Sequence, residues 1–263
     1  MEMKHVTYEK WQVDPTSYLD SKVKLEEDCV VGPNVRLYGE VSFSKGALIE
    51  PNVIIYGPVK IGEKCYIGSN SLIGFPSMRE LAGIREKKSQ KPKLKKGKIT
   101  KIGSNVLIRT NCVIYSSVNI SDDVSFGHNV IIRENVNVGT GTLIGTNVII
   151  DGCCKIGRSV SIQSGAYIPT NSIIEDNVFL GPNCVLTNDL YMKQKKFDLK
   201  GPTIKSGVSI GANATIFPAV TVGRGAVIGA GSVVRDDVPA KTVFVGVPAK
   251  KLKNVPDNWH IPQ

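Results

Sequence analysis

The sequence predicts an all-β fold, a parallel coil of short strands joined by regular corners, and three observations carry that prediction. Val106, Cys112, Val118, Val124, Val130, Val136, Thr142, Val148, Cys154, Val160, Ala166, Ser172, Val178 and Cys184 stand six residues apart without a slip. A larger residue follows each of them two places later, from Ile108, Ile114, Ile120 and Phe126 through to Leu186. Gly, Asn, Asp or Pro recurs between these pairs, where the chain must bend. A helix repeats near 3.6 and a strand at two, so a period of six belongs to neither. It marks a stack of similar units. Within each hexad the small and the large residue point to one side of an extended segment. Three hexads then close one triangular turn, which places residues 18 apart over each other at roughly 4.8 Å.

In chain order, residues 1–20 are expected to cap the open end, with Trp11 and Tyr18 as plugs, because a bare first coil exposes core and unpaired strand edges. From Val23 the small positions run through Cys29, Val35, Val41, Ala47, Val53, Val59, Cys65 and Ser71. The phase then breaks until Thr100, which predicts a loop over 75–99; loops of that length inside a repeat are functional or disordered. After the long central run a second extrusion is expected over 187–203, followed by rungs from Val208 to Val238. The prism thus occupies 21–240, and about ten triangular coils at roughly 4.8 Å each make it about 50 Å long. Residues 241–263 form a C-terminal tail.

Apolar residues make up 41% and aromatics 6% of the 263 residues, as suits a narrow interior filled by Val and Ile. Five of the six cysteines take the inward position, and no CxxC spacing occurs. They read as buried packing residues whose free thiols suit a reducing, cytoplasmic setting. The N-terminus lacks an apolar signal core, and no run reaches the roughly 18 apolar residues of a membrane span, so no membrane partner is expected. Residues 76–99 hold nine Lys or Arg against two Glu, so much of the +10 net charge is one loop. Its confinement to one loop weakens a nucleic-acid reading, since beside a pocket the phosphates of a small ligand fit it as well as RNA does, and no nucleic-acid partner is expected; a merely solvated loop is the other reading. Asn105, Asn111, Asn129, Asn147, Asn177 and Asn183 read as turn residues, since Asn tolerates the left-handed conformation. Asn129 is singled out only because it adjoins His128.

The hexads resemble those of the hexapeptide-repeat, left-handed parallel β-helix acyltransferases over about residues 21–250. The left hand comes from this resemblance alone, since ordinary parallel crossovers are right-handed. GHNVIIRE (127–134) resembles a G-H-N-x-x-I-R-E stretch of members that acylate amino sugars on nucleotide diphosphates. LTND (186–189), a Lys-rich loop and KGPTIKSGVSIGANATI (200–216) follow in that branch's order. GVPAKKLK (246–253) is similar to the G-x-P-A-[K/R] ending of the acetyl-coenzyme A-dependent members, where it lines the cofactor cleft.

The resemblance implies a homotrimer with active sites between subunits, moving an acyl group from acetyl-CoA or another acyl-CoA to the amine of a nucleotide-linked amino sugar. A dTDP-3-amino- or dTDP-4-amino-dideoxyhexose for surface-polysaccharide synthesis is the first expectation, and a UDP-linked sugar the next. The γ-carbonic anhydrases share the fold but need three imidazoles on zinc. Only His128 of the three histidines lies in the prism, so no metal is expected. Transfer from acyl carrier protein would go with a helical C-terminal domain, against which the short tail speaks; a non-catalytic scaffold is the remaining alternative.

His128 is the expected base that takes a proton from the attacking amine. The backbone N–H of Gly145 or Thr146, one coil on, is the expected oxyanion donor. Glu134 would orient the imidazole, across a subunit boundary because it sits one corner further along, or else simply pair with Arg133. Arg109, Tyr115, Arg133 and Asp189 are the candidates for the sugar nucleotide. Lys205, Arg224, Lys250, Lys251 and Lys253 are those for the coenzyme A phosphates.

Overall fold

The computed structural model describes residues 11–78, 80–82, 99–196 and 198–259. Its strands, numbered in chain order, are two to six residues long, beginning with β1 (Trp11–Val13), β2 (Tyr18–Leu19) and β3 (Lys24–Leu25). Every third strand joins the same sheet, which makes three flat faces of 13, 11 and 10 strands, named faces 1, 2 and 3 after their first strands. Neighbours within a face pair in parallel at an 18-residue offset, as in Asn119 with Asn137 and Asn137 with Lys155. The repeat fits a left-handed coil.

The small and large hexad positions fill the interior. Val130, Ile132, Val148 and Ile150 are fully buried, as are Cys112, Cys154 and Cys184. Burial pushes these three thiols up, Cys112 to about 11 and Cys154 and Cys184 to about 12. Polar rungs find backbone partners: Thr142 Oγ1 donates to the Gly157 carbonyl at 2.9 Å and Ser172 Oγ to that of Pro169 at 2.7 Å. The six corner asparagines all have positive φ, from 55° at Asn105 to 62° at Asn111. Asn supports such bends because its short side chain costs least there after Gly.

The coil extends beyond the expected ten turns, to about twelve. Face 1 stacks twelve parallel strands before an antiparallel thirteenth. Residues 11–13 and 18–19, expected in a cap, pair with β4 (Cys29–Val31) and β5 (Arg36–Tyr38) as a first turn. At the other end β33 (Thr242–Gly246), expected in the tail, pairs in parallel with β31 (Val227–Ile228). Ser17 and Leu19 continue the phase of Val23 and Leu25, and Val13 and Leu19 pack against the core, so the first turn follows the same hexad rule. β33 pairs at a 16-residue offset, out of that phase, through a ladder that asks for no particular side chain. Residues 1–10 of the expected cap, and most of the basic loop, lie outside the described residues.

Both extrusions leave the same edge. The first separates β11 (Leu72–Phe75) on face 2 from β12 (Thr100–Ile102) on face 3, and the second separates β26 (Val185–Leu186) on face 2 from β27 (Thr203–Ile204) on face 3. Phe75 and Thr203 thus belong to strands rather than to the expected loops. The faces also differ outside. Face 2 presents Ile54, Leu72, Val113, Ile131, Ile149, Tyr167 and Val185 in register, while on face 1 Leu48, Leu107, Leu143, Phe179 and Val227 are interleaved with Tyr66, Ser125, Ser161 and Ser209. Face 3 presents Lys24, Ser42, Lys60, Lys101, Asn119, Asn137 and Lys155. Among the described residues no helix is long and apolar enough to cross a membrane.

Candidate active site at the corner between faces 1 and 2

Gly127, His128 and Asn129 turn the chain from β16 (Ser125–Phe126) on face 1 to β17 (Ile131–Ile132) on face 2. Residues 18 away on either side stack against them. The His128 Nδ1 lies 2.8 Å from Thr110 Oγ1 one coil earlier, and the His128 N–H donates to Thr146 Oγ1 at 3.2 Å one coil later. The ring is exposed but held at one nitrogen, and Nε2 has no partner among the described residues. In the tautomer with Nδ1–H donating to Thr110, Nε2 of the exposed ring carries a free lone pair, which is what a proton acceptor requires. Gly127 is required by stacking, since a Cβ there would run into the Thr146 amide. Gly145 has no side chain either, so this corner presents two bare backbone steps beside the imidazole.

Two expectations at this corner need correction. The Gly145 N–H donates to the Ile162 carbonyl at 2.7 Å, so the ladder uses it and it is closed to an oxyanion. The Thr146 N–H has no such partner among the described residues. Asn129 is a turn residue like its neighbours, with φ 56°, and its Nδ2 donates to Asn147 Oδ1 at 3.1 Å. Its amide is engaged in an asparagine ladder and adds nothing to the imidazole. Arg109 immediately precedes Thr110, is exposed, and has no ion pair among the described residues.

Tyr115, Arg133 and Glu134 lie at the next corner, between faces 2 and 3. Arg133 forks onto Glu134, with Nε to Oε2 at 3.2 Å and Nη2 to Oε1 at 3.1 Å. Its guanidinium carbon also sits 5.5 Å from the Tyr115 ring centroid, and Nη1 lies 3.9 Å from Asp151 Oδ1. The Tyr167 hydroxyl donates to Asp151 Oδ2 at 2.6 Å, and burial, aided by that carboxylate, pushes its pKa up to about 12. Glu134 therefore does not orient the imidazole within the chain. Thr110 takes that position, a contact missed in the sequence although the 18-residue offset between the two was there to be read. Nor is Arg133 open to a phosphate, since one guanidinium faces two carboxylates and its best donors are committed.

This second corner also anchors the first extrusion. The Ser77 N–H and Oγ donate to Glu80 Oε2 at 2.7 and 2.9 Å, half of a capping box, and Ser116 Oγ donates to the same oxygen at 3.0 Å. Asp189, in the second extrusion, accepts the Tyr191 and Lys193 N–H groups at 3.0 Å each, which makes it a local loop brace rather than an open ligand.

The five basic candidates divide. Lys205 and Arg224 occupy the third corner, and Lys205 is paired with Glu175 Oε1 at 2.8 Å, which holds that carboxyl below its usual range. Lys250, Lys251 and Lys253 are on β34 (Ala249–Asn254), antiparallel to β33 at the end of face 1. Lys253 Nζ lies 5.0 Å from the Trp259 ring centroid, while Lys250 and Lys251 are exposed. Among the described residues no group of three His, Cys, Asp or Glu is placed to hold a metal ion.

The bacterial transferase hexapeptide family model, of six repeats, matches residues 43–74, 153–188 and 201–236. Over 54 residues the chain is 54% identical to a 2,3,4,5-tetrahydropyridine-2,6-dicarboxylate N-acetyltransferase of Enterococcus faecalis, a match spanning 20% of this chain and 23% of that relative. Over 54 residues it is also 54% identical to a serine acetyltransferase of Buchnera aphidicola subsp. Acyrthosiphon pisum, spanning 20% of each chain. The matches thus span about a quarter or less of these relatives' length. The UDP-N-acetylglucosamine acyltransferase of Campylobacter jejuni superposes with a TM-score of 0.51 at 14% identity, over 92% of this chain and 75% of that one, a likeness of fold.

Proposed function

We propose that this hexapeptide-repeat chain is a coenzyme A-dependent N-acyltransferase, with His128 as the base and the amine of a nucleotide-linked amino sugar as the acceptor. The single observation that carries the reading is the His128 corner, where Thr110 holds Nδ1 and Nε2 has no partner among the described residues. The two acetyltransferase relatives support the reaction type. The GHNVIIRE stretch supports the acceptor, and a dTDP-3-amino- or dTDP-4-amino-dideoxyhexose is the specific one proposed.

In the reaction, the amine nitrogen attacks the thioester carbonyl carbon while Nε2 takes its proton. The N–C bond forms, the oxyanion meets the Thr146 N–H, and the C–S bond then breaks. The coenzyme A thiolate leaves and receives the proton from the imidazolium. Preorganised donors at such an oxyanion act in place of water that would have to reorient. The exposed Lys250 and Lys251 lie seven strand spacings from β16 along face 1, roughly 34 Å.

The assembly belongs to the same proposal. A continuous apolar outward column on face 2, and on face 1 a column in which apolar residues alternate with Ser125, Ser161 and Ser209, flank the His128 corner, and apolar surface of this kind marks a contact surface. A homotrimer burying both faces would place His128 between neighbours, in the cytoplasm where the buried thiols stay reduced. The test offers acetyl-CoA with a panel of dTDP- and UDP-linked 3-amino and 4-amino sugars and follows thiol release. Release with one dTDP-amino sugar is expected. Silence across the panel, with no coenzyme A binding, would overturn the proposal.

A further inference from the structure

Face 3 is the side of the prism opposite the His128 corner, and its first coils enclose a cavity of about 360 Å³. Lys22, Lys24, Lys60 and Glu40 bring the charge, while Pro58 and Ile99 supply apolar wall. The lysines are placed by register: Lys24 pairs with Ser42, and Ser42 with Lys60. Two ammonium stems thus flank one hydroxyl, with their strands about 10 Å apart. Lys60 in turn stands directly opposite Lys101 on the next strand.

Like charges opposite one another destabilise a sheet, and no ion pair among the described residues relieves these. Lys24, Lys60 and Lys101 have no ion pair to any described residue, and Glu40, the one carboxylate among the described residues that line the cavity, is 3.8 Å from Lys22. The other two faces show no such column. The cavity's volume is at the small end of the roughly 300–1,000 Å³ typical of small-molecule sites. An ammonium cluster in a concave surface concentrates anions, and three donors per ammonium suit a phosphate's acceptor oxygens.

We propose that this cavity is a second ligand site, separate from the acyl-transfer corner, that takes a small phosphorylated molecule between Lys24 and Lys60 with its apolar body against Pro58 and Ile99. The core of the prism lies between the two sites, and self-association through faces 1 and 2 leaves face 3 open. The site stands whether or not the acyl-transfer reading holds.

Calorimetric titration of the intact chain with inorganic pyrophosphate at fixed ionic strength tests the proposal. Saturable binding is expected, weakened at least tenfold in the Lys24→Gln/Lys60→Gln double variant. Glu40→Gln, which removes the competing carboxylate, should tighten it about threefold. These side chains are on the surface, so without ligand Glu40→Gln should melt near the wild-type temperature and the double variant, which removes opposed like charges, at or above it; this separates lost binding from lost folding. No saturable binding with a Kd below about 10 mM, or binding indifferent to the double substitution, would overturn it.

Discussion

The two corners that bound face 2 are built by the same hexad rule and end in opposite chemical states. At the first, His128 is tied at Nδ1 by Thr110 and its other nitrogen is left without a partner among the described residues. At the second, Arg133, Glu134, Asp151 and Tyr167 satisfy one another through contacts of 2.6 to 3.9 Å. A closed network of that kind holds a corner in shape. An imidazole oriented but not used up has a free position with which to act. The comparison therefore separates a candidate for chemistry from a set of charged residues that looked equally promising as letters.

Substitutions at the two corners sharpen this contrast, beginning with the most disruptive. Gly127→Val would drive a branched side chain into the Thr146 amide, so the corner must open. The expected result is no measurable turnover and a loss of about 2–4 kcal/mol in urea denaturation. Thr110→Val keeps the shape and removes the hydroxyl at Nδ1, and turnover should fall about tenfold with little change in melting. Thr110→Ser should restore most of it. A Thr110→Val chain as active as wild type would mean that the ring needs no orienting.

At the second corner the order of effects reverses. Glu134→Ala leaves the half-buried Arg133 without its forked partner, which should cost about 1–3 kcal/mol of stability while turnover stays within about threefold. A large fall in turnover with stability intact would return Glu134 to the reaction, acting across a subunit boundary. The smallest effect is a matter of pH. Tyr167 is held up to about 12, mainly by burial and then by Asp151, against about 10 in the unfolded chain. Its contribution is complete below about pH 10 and is lost as pH rises through 12. The stability gap between wild type and Tyr167→Phe should thus be level to about pH 10 and narrow above it, as read by urea melts across that range.

Much of the fold was legible because the period of six leaves no other solution: the coil, its buried thiols and its asparagine corners follow from spacing. The first and last turns were less so, since Trp11 replaces the small residue of its hexad and Thr242–Gly246 pairs out of the 18-residue phase, although Val13 and Phe244 pack against the core. At the candidate site, His128 stood out by being the sole histidine in the prism. Its partner did not, because Thr110 is an unremarkable residue until the 18-residue offset is applied to it. Hydrogen-bond competition was the least legible feature. That the Gly145 N–H is used by the ladder, that Asn129 is bound to Asn147 and that Arg133 is committed to Glu134 are facts of geometry. Nothing in the residue types alone announces them.

The most direct test of the central claim is the turnover of His128→Ala in the thiol-release assay, measured with the acceptor on which the wild type works best. Loss of about 10²–10⁴ in turnover, with melting and coenzyme A binding unchanged, is the predicted result. A change under about threefold would contradict it, because the one corner distinguished by an unengaged imidazole nitrogen would then have no part in moving the proton.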